Sequence, residues 1–353
     1  MNENPTNVTI KDVARLSGVS PMTVSRVINQ SQRVSPVTRG RVEQAISELG
    51  YVPSRLARGL SRQKTGTIAL IVPDVANPFF TLIVRGAEDV ARRAGYRVLL
   101  CDTRFDLTLE AEVIEDMIAH RVEGIVIAPV SDASRGELKR LAKFGVPFVL
   151  IDRSIPGIEC DAVLGDSTGG ARILVEHLIS LGHRRIAMIL EDESVSTARD
   201  RLAGYTEALE RAGIPLDPAL VVRATADPRG GLVGMEELLG RDDRPTAVFT
   251  VNNLVALGAI EAVRAAGLEV PDDIAFVCFD DIEYASLLYP FLRLYPFHPF
   301  LTVMLQPAET FGTLGTQLLF ERIEGPRLER PRKVVLPGDF LVRDSCGANA
   351  RAA

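Results

Sequence analysis

Beyond Gly66 the chain repeats one pattern: a short, almost wholly apolar run, a polar break, and then a longer segment with apolar positions at helical spacing. Apolar runs at 67–72, 96–101, 124–128, 146–151, 185–190, 247–251 and 274–279 alternate with helical segments at 81–94, 109–119, 169–181, 200–212 and 254–266. Strands that are apolar throughout are buried on both faces, and a helix between successive strands makes them parallel. The pattern therefore predicts parallel sheets covered by helices on both faces, with any ligand held beyond the carboxyl ends of the strands.

At roughly 100 to 200 residues per domain, the 353 residues predict two or three domains. With 46% hydrophobic and 24% charged residues, the composition excludes an unfolded chain, a collagen or a coiled-coil rod. The longest apolar runs, such as 68–72 and 146–151, fall far short of the ~18 residues that cross a bilayer, so no membrane span is expected. Residues 1–7 are polar and lack the basic and apolar blocks of a secretory signal, so the chain is expected to stay in the cytoplasm. Cys101, Cys160, Cys278 and Cys346 are scattered without C-x-x-C spacing and are expected to be free thiols. His120, His177 and His183 show no metal spacing, and neither metal nor cofactor is expected.

The formal charge of −6 would argue against a polyanionic partner, but its distribution argues the other way. Residues 1–65 hold ten cations (Lys11, Arg15, Arg26, Arg33, Arg39, Arg41, Arg55, Arg58, Arg62, Lys64) and four anions, a charge of +6, which leaves −12 on the rest. A basic head on an acidic body is expected where one small domain meets nucleic acid and the bulk does something else.

Three helices can be read in the head from their caps. Thr9 with Asp12 resembles a capping box opening a helix over 10–16, and Gly18 ends it. Ser20 and Pro21 open a second helix through Val24, Val27 and Ile28. Ser35 and Pro36 open a third, with Val42, Ala45, Ile46 and Leu49 at core spacing and Gly50 as its stop. Two helices joined by a tight glycine turn, with a third packed on them, form a helix-turn-helix unit.

The head also carries, in order, Thr9-Ile10-Lys11-Asp12-Val13-Ala14, Gly18-Val19-Ser20, Thr23-Val24-Ser25-Arg26-Val27-Ile28-Asn29, Val34-Ser35, Thr38-Arg39 and Leu49-Gly50-Tyr51-Val52-Pro53. With these residues, segment 8–60 resembles the DNA-binding head of the LacI/GalR family of bacterial repressors. The resemblance implies that the second helix enters the major groove, with Pro21, Met22 and Arg26 at base edges. Pro21 and Met22 suit a thymine methyl, and Arg26 can bond a guanine in bidentate fashion. Thr9, Ser20, Thr23, Ser25, Asn29 and Thr38 are expected to hold phosphates and set register. Pro53-Ser54-Arg55-Leu56-Ala57-Arg58-Gly59-Leu60 matches the family's hinge helix, which implies that Ala57 and Leu60 meet the minor groove at the operator centre. An apolar wedge between base steps kinks DNA, so Leu60→Ala is expected to abolish operator bending with little loss of fold; retained bending and affinity in a gel-shift assay would refute the assignment.

In the body, polar residues fall at the strand ends: Asn77-Pro78-Phe79-Phe80, Asp152-Arg153, Thr197-Ala198-Arg199-Asp200-Arg201, Asn252-Asn253, Asp280-Asp281 and Gln306. Carboxylates, amides and guanidinium groups around aromatic faces suit a monosaccharide, whose hydroxyls take hydrogen bonds while its C–H face packs on a ring. Order and spacing over 67–342 are similar to the lobes of periplasmic ribose-type sugar-binding proteins. That resemblance implies ligand contact for Asn77, Phe79, Phe80, Asp152, Arg153, one of Arg199 or Arg201, Asn252, Asp280 and Gln306. Two departures stand out. Ala226-Asp227-Pro228 replaces a second stacking aromatic, and segment 289–299, in which Tyr-Pro-Phe occurs twice, is longer than the family's crossover.

The expected fold is thus an all-α helix-turn-helix head on an α/β periplasmic-binding-protein-like body of two Rossmann-like parallel-sheet lobes. The head spans 1–52, the hinge and linker 53–65, the body 66–345 and a tail 346–353. The body's N-lobe is expected at 66–164 and 304–330 and its C-lobe at 165–303 and 331–345. Asp152, Asp280 and Asp281 could serve a glycosidase, but arginines accompany them and no activated nucleophile is evident, so binding is the better reading. The expected function is a dimeric repressor of sugar-utilisation genes, binding a palindromic operator and controlled by a ribose-like pentose or other monosaccharide between the lobes. The alternative is a catabolite-control or purine- or nucleoside-responsive regulator of the same family. The tail lacks a leucine heptad, so no tetramer is expected.

Overall fold

A computed structural model of the chain describes residues 8–28, 33–51, 65–281, 300–325 and 330–348, which fall into two units divided between Thr65 and Gly66. The hinge at 53–60, with Ala57 and Leu60, lies outside the described residues, as do Asn29 and the 289–299 crossover.

The first unit contains α1 (Ile10–Ser17), α2 (Pro21–Ile28) and α3 (Pro36–Leu49). Each helix opens on a polar side chain that binds a backbone N–H with no partner inside the helix. The Asp12 carboxylate accepts from the Thr9 N–H at 3.0 Å, Ser20 Oγ from the Thr23 N–H at 3.2 Å, and Ser35 Oγ from the Thr38 N–H at 3.3 Å. Gly18 and Gly50 end α1 and α3 at φ of 65° and 59°, a left-handed turn that a Cβ would strain. Val13, Ala14, Val24, Val27, Val42 and Ala45 form the core, drawn from all three helices.

The second unit holds two six-stranded sheets. The first contains β1 (Thr67–Val72), β2 (Arg97–Asp102), β3 (Ile125–Ile127), β4 (Phe148–Asp152), β5 (Asp161–Gly165) and β11 (Lys333–Leu336), in the order β11-β5-β4-β3-β1-β2. The second contains β6 (Ile186–Leu190), β7 (Val221–Arg223), β8 (Ala247–Thr250), β9 (Ala275–Phe279), β10 (Thr302–Leu305) and β12 (Asp339–Leu341), in the order β12-β10-β9-β8-β6-β7. The two sheets thus repeat one topology. All pairings are parallel except β10 with β12, where Met304 faces Phe340 in an antiparallel ladder. A two-residue link from β11 brings the chain into the second sheet against the strand direction, so that lobe is only predominantly parallel.

Side chains of β1 alternate between two helix layers, as the pleat requires. Ile68, Leu70 and Val72 pack with α4 (Pro78–Arg93) and α11 (Ala308–Glu324), while Ala69 and Ile71 pack with α5 (Leu107–Ala119) and α6 (Arg135–Phe144). The second sheet is covered by α7 (Ser167–Ser180), α8 (Ser196–Arg211), α9 (Pro228–Leu239) and α10 (Asn253–Ala265). Helix α11 lies close on α4: a Cβ on Gly86 would sit 2.1 Å from the Glu309 carbonyl. The chain passes between the lobes after β5, β10 and β11.

The last two passages differ from the expected lobe limits at 304 and 331. Strand β10 runs to Leu305 before the chain leaves the C-lobe, and Lys333–Leu336 pairs with β5 in the N-lobe, Lys333 opposite Ala162. Alternate residues of β11 are exposed, so it carries no continuous apolar signal and its parallel pairing decides where it belongs. Among the described residues no helix is long and apolar enough to cross a membrane.

Candidate functional site

The carboxyl ends of both sheets converge on a cleft between the lobes. Asp152 ends β4 and Asp280 follows β9, the third strand of each sheet, and both have φ of 63°. Asp tolerates this left-handed conformation better than most residues because its short polar side chain can hydrogen-bond locally. Both carboxylates are buried, at 7% exposure. Asp152 lies within electrostatic reach of Arg153 and Arg201, and Asp280 within reach of Arg201 and Asp152, so aspartates from the two lobes share one field.

The two arginines are fixed from behind. Arg153 donates through Nη1 to the carbonyls of Pro129 at 3.1 Å and Val130 at 2.9 Å, leaving its Nε 3.5 Å from Asp152 Oδ2. Arg201 donates to the Val251 carbonyl at 2.6 Å and lies 4.0 Å over the Phe279 ring. Gln306, on the second passage between the lobes, donates to both Asp280 oxygens at 3.0 and 3.3 Å. Its Oε1 fits only because residue 165 is Gly, where a Cβ would stand 2.2 Å away. Gln306 Oε1, Arg153 Nε and Arg201 Nε are buried with no hydrogen-bond partner among the described residues. Unsatisfied groups of this kind are costly, and their convergence marks a place shaped for a polar ligand.

Burial pushes the Asp280 carboxyl up to about 6, against the opposing pull of Arg201 and Gln306. Burial also raises Asp152, with Arg153 and Arg201 opposing. These are acceptors held in a dry site, and the neighbouring cations favour their charged form.

The remaining expected residues divide by position. Asn77 caps α4, accepting from the Phe79 N–H at 3.0 Å, and meets the Asn253 carboxamide across the lobes at 3.4 Å. Phe79 and Phe80 stack edge to face at 5.1 Å and belong to the N-lobe core, where Phe79 also meets Phe311. Asn252 is the N-cap of α10, accepting from the Val255 N–H at 2.8 Å, while its neighbour Asn253 is buried and reaches the other lobe. Arg199 and Arg201 separate: Arg201 enters the cleft, and Arg199 stays at the rim, where it binds Asp132 of the other lobe at 2.9 Å. Beside that pair, the Asp132 N–H donates to the Ser194 carbonyl at 2.9 Å and the Ser154 N–H to Ser196 Oγ at 2.9 Å, so the lobes are clasped at the mouth.

Sequence reasoning missed Glu191 in the cleft, and it named Asn253 at its strand end without assigning it a ligand contact. Each stands at a strand end in the sequence, which is the available signal: Asn253 follows β8 and Glu191 directly follows β6.

In the head, α2 turns Val24 and Val27 into the core and leaves Pro21, Met22 and Arg26 exposed on the opposite side, Met22 at 64%. Met22 and Arg26 are four residues apart and share a face. Thr9 and Ser20 are exposed at helix starts; Thr23, Ser25 and Thr38 are partly buried. The Ser20 and Thr38 hydroxyls are also in the capping hydrogen bonds of α2 and α3.

A helix-turn-helix head whose second helix leaves one face exposed and a two-lobed body with a polar cleft define a DNA-binding regulator built on a periplasmic-binding-protein-like scaffold. Residues 9–54 match the model for bacterial regulatory proteins of the lacI family, and residues 175–346 match the periplasmic binding protein-like domain. The ribose operon repressor of Escherichia coli (strain K12) is 37% identical over 331 residues, 93% of this chain and 97% of its own. A lac repressor dimer bound to operator and the anti-inducer ONPF has a TM-score of 0.81 at 30% identity, covering 97% of this chain and 99% of that one. A transcriptional regulator CelR–cellobiose complex has a TM-score of 0.71 at 35% identity, covering 96% of this chain and 99% of that one. The chain belongs to the lacI family of bacterial regulatory proteins and is a transcriptional regulator rather than an enzyme.

Proposed function

We propose that this protein represses sugar-utilisation genes from the cytoplasm, binding a palindromic operator as a homodimer and responding to a monosaccharide held between its lobes. The observation that carries the reading is the buried set of Asp152, Arg153, Arg201, Asp280 and Gln306, contributed by both lobes and left with unsatisfied donor and acceptor atoms. Its mixed acceptors and donors suit adjacent hydroxyls, and relatives include a ribose operon repressor and a cellobiose complex. Asn77, Asn252 and the Phe79–Phe80 pair complete the proposed contacts, and Arg199 acts from the rim. Calorimetric or thermal-shift screening of pentoses, hexoses and nucleosides tests the reading; binding of nucleosides alone would overturn it.

Two-fold operator symmetry follows if each head reads one half-site. The edge strand β2 supports a second copy as partner: Leu99 and Leu100 on it, and Phe105 and Leu107 just after it, are exposed apolar side chains in one stretch of chain. Closure of the lobes on the sugar would shift that interface and the spacing of the heads, by no more than the ligand's differential affinity for the two states.

On the operator, Pro21, Met22 and Arg26 are proposed at base edges, Thr9, Ser20, Thr23, Ser25, Asn29 and Thr38 at phosphates, and Ala57 and Leu60 in the minor groove. Arg26→Ala is expected to cost ~1–3 kcal/mol and to relax specificity at one base pair per half-site. A gel-shift series with single base-pair operator variants reads this out. An unchanged ranking of the variants would place Arg26 on phosphate instead.

A further inference from the structure

Besides Asp152 and Asp280, a third carboxylate lies in the cleft. Glu191 follows β6, is 8% exposed, and has the guanidinium groups of Arg153 and Arg201 and the carboxylates of Asp152 and the exposed Asp192 as its charged neighbours. Its nearest cation, Arg153 Nη2, is 3.9 Å from Oε2, beyond hydrogen-bond reach. Arg153 cannot close that gap cheaply, because its Nη1 is tied to the Pro129 and Val130 carbonyls. No described residue donates a hydrogen bond to Glu191, so its acceptor capacity is unspent. Asp281, by contrast, is consumed by Arg343, whose two nitrogens meet its oxygens at 2.9 and 2.6 Å. Arg199 is likewise taken by Asp132.

We infer that Glu191 faces the effector and sets its charge class, admitting a neutral sugar and rejecting its anionic counterparts. The inference rests on the sugar reading of the cleft. Asp192 lies at the surface, and among the buried groups Asp152, Glu191 and Asp280 stand against Arg153 and Arg201, a formal charge of −1. The buried Arg201 Nε and Gln306 Oε1, both without partners among the described residues, show that a polar ligand is due in this space. A neutral sugar supplies hydroxyl donors to three carboxylates and acceptors to two guanidinium groups. An anion would meet excess negative charge in a site shut off from solvent, where like charges are poorly screened. Neutralising Glu191 balances the remaining four groups and removes the source of the exclusion.

The test uses the full chain and near-isosteric pairs that differ in one charge: D-glucose with D-glucuronate, D-galactose with D-galacturonate, and D-ribose with D-riburonate, each titrated calorimetrically against wild type and Glu191→Gln. Wild type is expected to prefer the neutral member of the bound pair by roughly a hundredfold or more. In Glu191→Gln that preference narrows by roughly tenfold or more, while the neutral sugar loses less than about tenfold because the amide oxygen still accepts. Equal binding of both members by wild type, or an unchanged preference in Glu191→Gln, overturns the role of Glu191 and leaves the sugar reading standing. Failure of all six compounds to bind a chain that still shifts its operator overturns the sugar reading, and this inference with it.

Discussion

An Asp280→Ala variant is expected to hold the operator with wild-type affinity and to lose its effector response. Asp280 receives both Gln306 hydrogen bonds and lies in the field of Arg201, so truncation leaves a buried amide without its acceptor and a guanidinium without a neighbouring counter-charge. Removing one partner of a buried charged hydrogen bond costs about 2–5 kcal/mol, or roughly a thirtyfold to several-thousandfold loss of effector affinity. Effector titration of the operator complex measures it, and an unchanged titration would remove Asp280 from the site. A second variant, Asp280→Asn, separates charge from shape. Burial raises the folded carboxyl to about 6 from an ordinary 3.8, so the native state binds a proton that the unfolded chain has released between those values. Stability from this group is therefore greatest at low pH and declines as pH rises from about 4 to about 6. Ligand binding that needs the ionised acceptor runs the other way and strengthens as pH rises through 6. Asp280→Asn should flatten both profiles, gaining on the order of 3 kcal/mol of stability at pH 7 while binding sugar weakly. Urea unfolding and calorimetry at about pH 5 and 7.5 give the two slopes, and parallel slopes in mutant and wild type would contradict this account.

The largest expected effect on stability lies at the opposite end of the N-lobe. Asp161, the first residue of β5, has a fully buried side chain that accepts from Arg322 Nη2 at 2.7 Å and Nε at 2.8 Å, from the Arg332 N–H at 2.6 Å and from Arg332 Nη2 at 3.1 Å. One carboxylate thus joins β5 to the end of α11 and to the chain entering β11. Burial alone would raise it, but the hydrogen bonds from Arg322 and Arg332 hold it at about 2. Asp161→Ala is expected to cost about 3–5 kcal/mol, because it leaves two guanidinium groups and a backbone N–H around an apolar stub. With the folded value below the unfolded one, the contribution is complete above about pH 4 and is lost as pH falls from about 4 to about 2. Urea unfolding of mutant and wild type measures the difference at pH 7; a loss under about 1 kcal/mol would show the cluster to be dispensable.

Most of the fold was legible because its signals are local. The head's caps at Ser20 and Ser35 and its glycine stops lie within one turn of what they terminate, and β1 and β9 are apolar along their length. Strand β5 escaped because it begins with a charge and ends in glycine, and its Asp161 is satisfied only by residues far along the chain. The short edge strands β7, β11 and β12 escaped because an edge needs no continuous apolar run. In the cleft, Asp152 and Asp280 were legible because parallel strands expose their ends. Arg199 and Arg201, two apart on a helix, point to nearly opposite sides, so only one could enter; which one depends on how α8 rolls against its sheet.

The paired left-handed backbone at Asp152 and Asp280 also limits how this cleft can diversify. Glycine, asparagine and aspartate enter that conformation at little cost, whereas a longer or branched side chain is penalised by the backbone before it meets any ligand. A change of effector that needs a new side chain at either strand end is therefore a two-step path, with asparagine as the accessible intermediate. Positions with ordinary backbone, Glu191 among them, carry no such toll, and specificity in descendants of this chain is expected to drift there first.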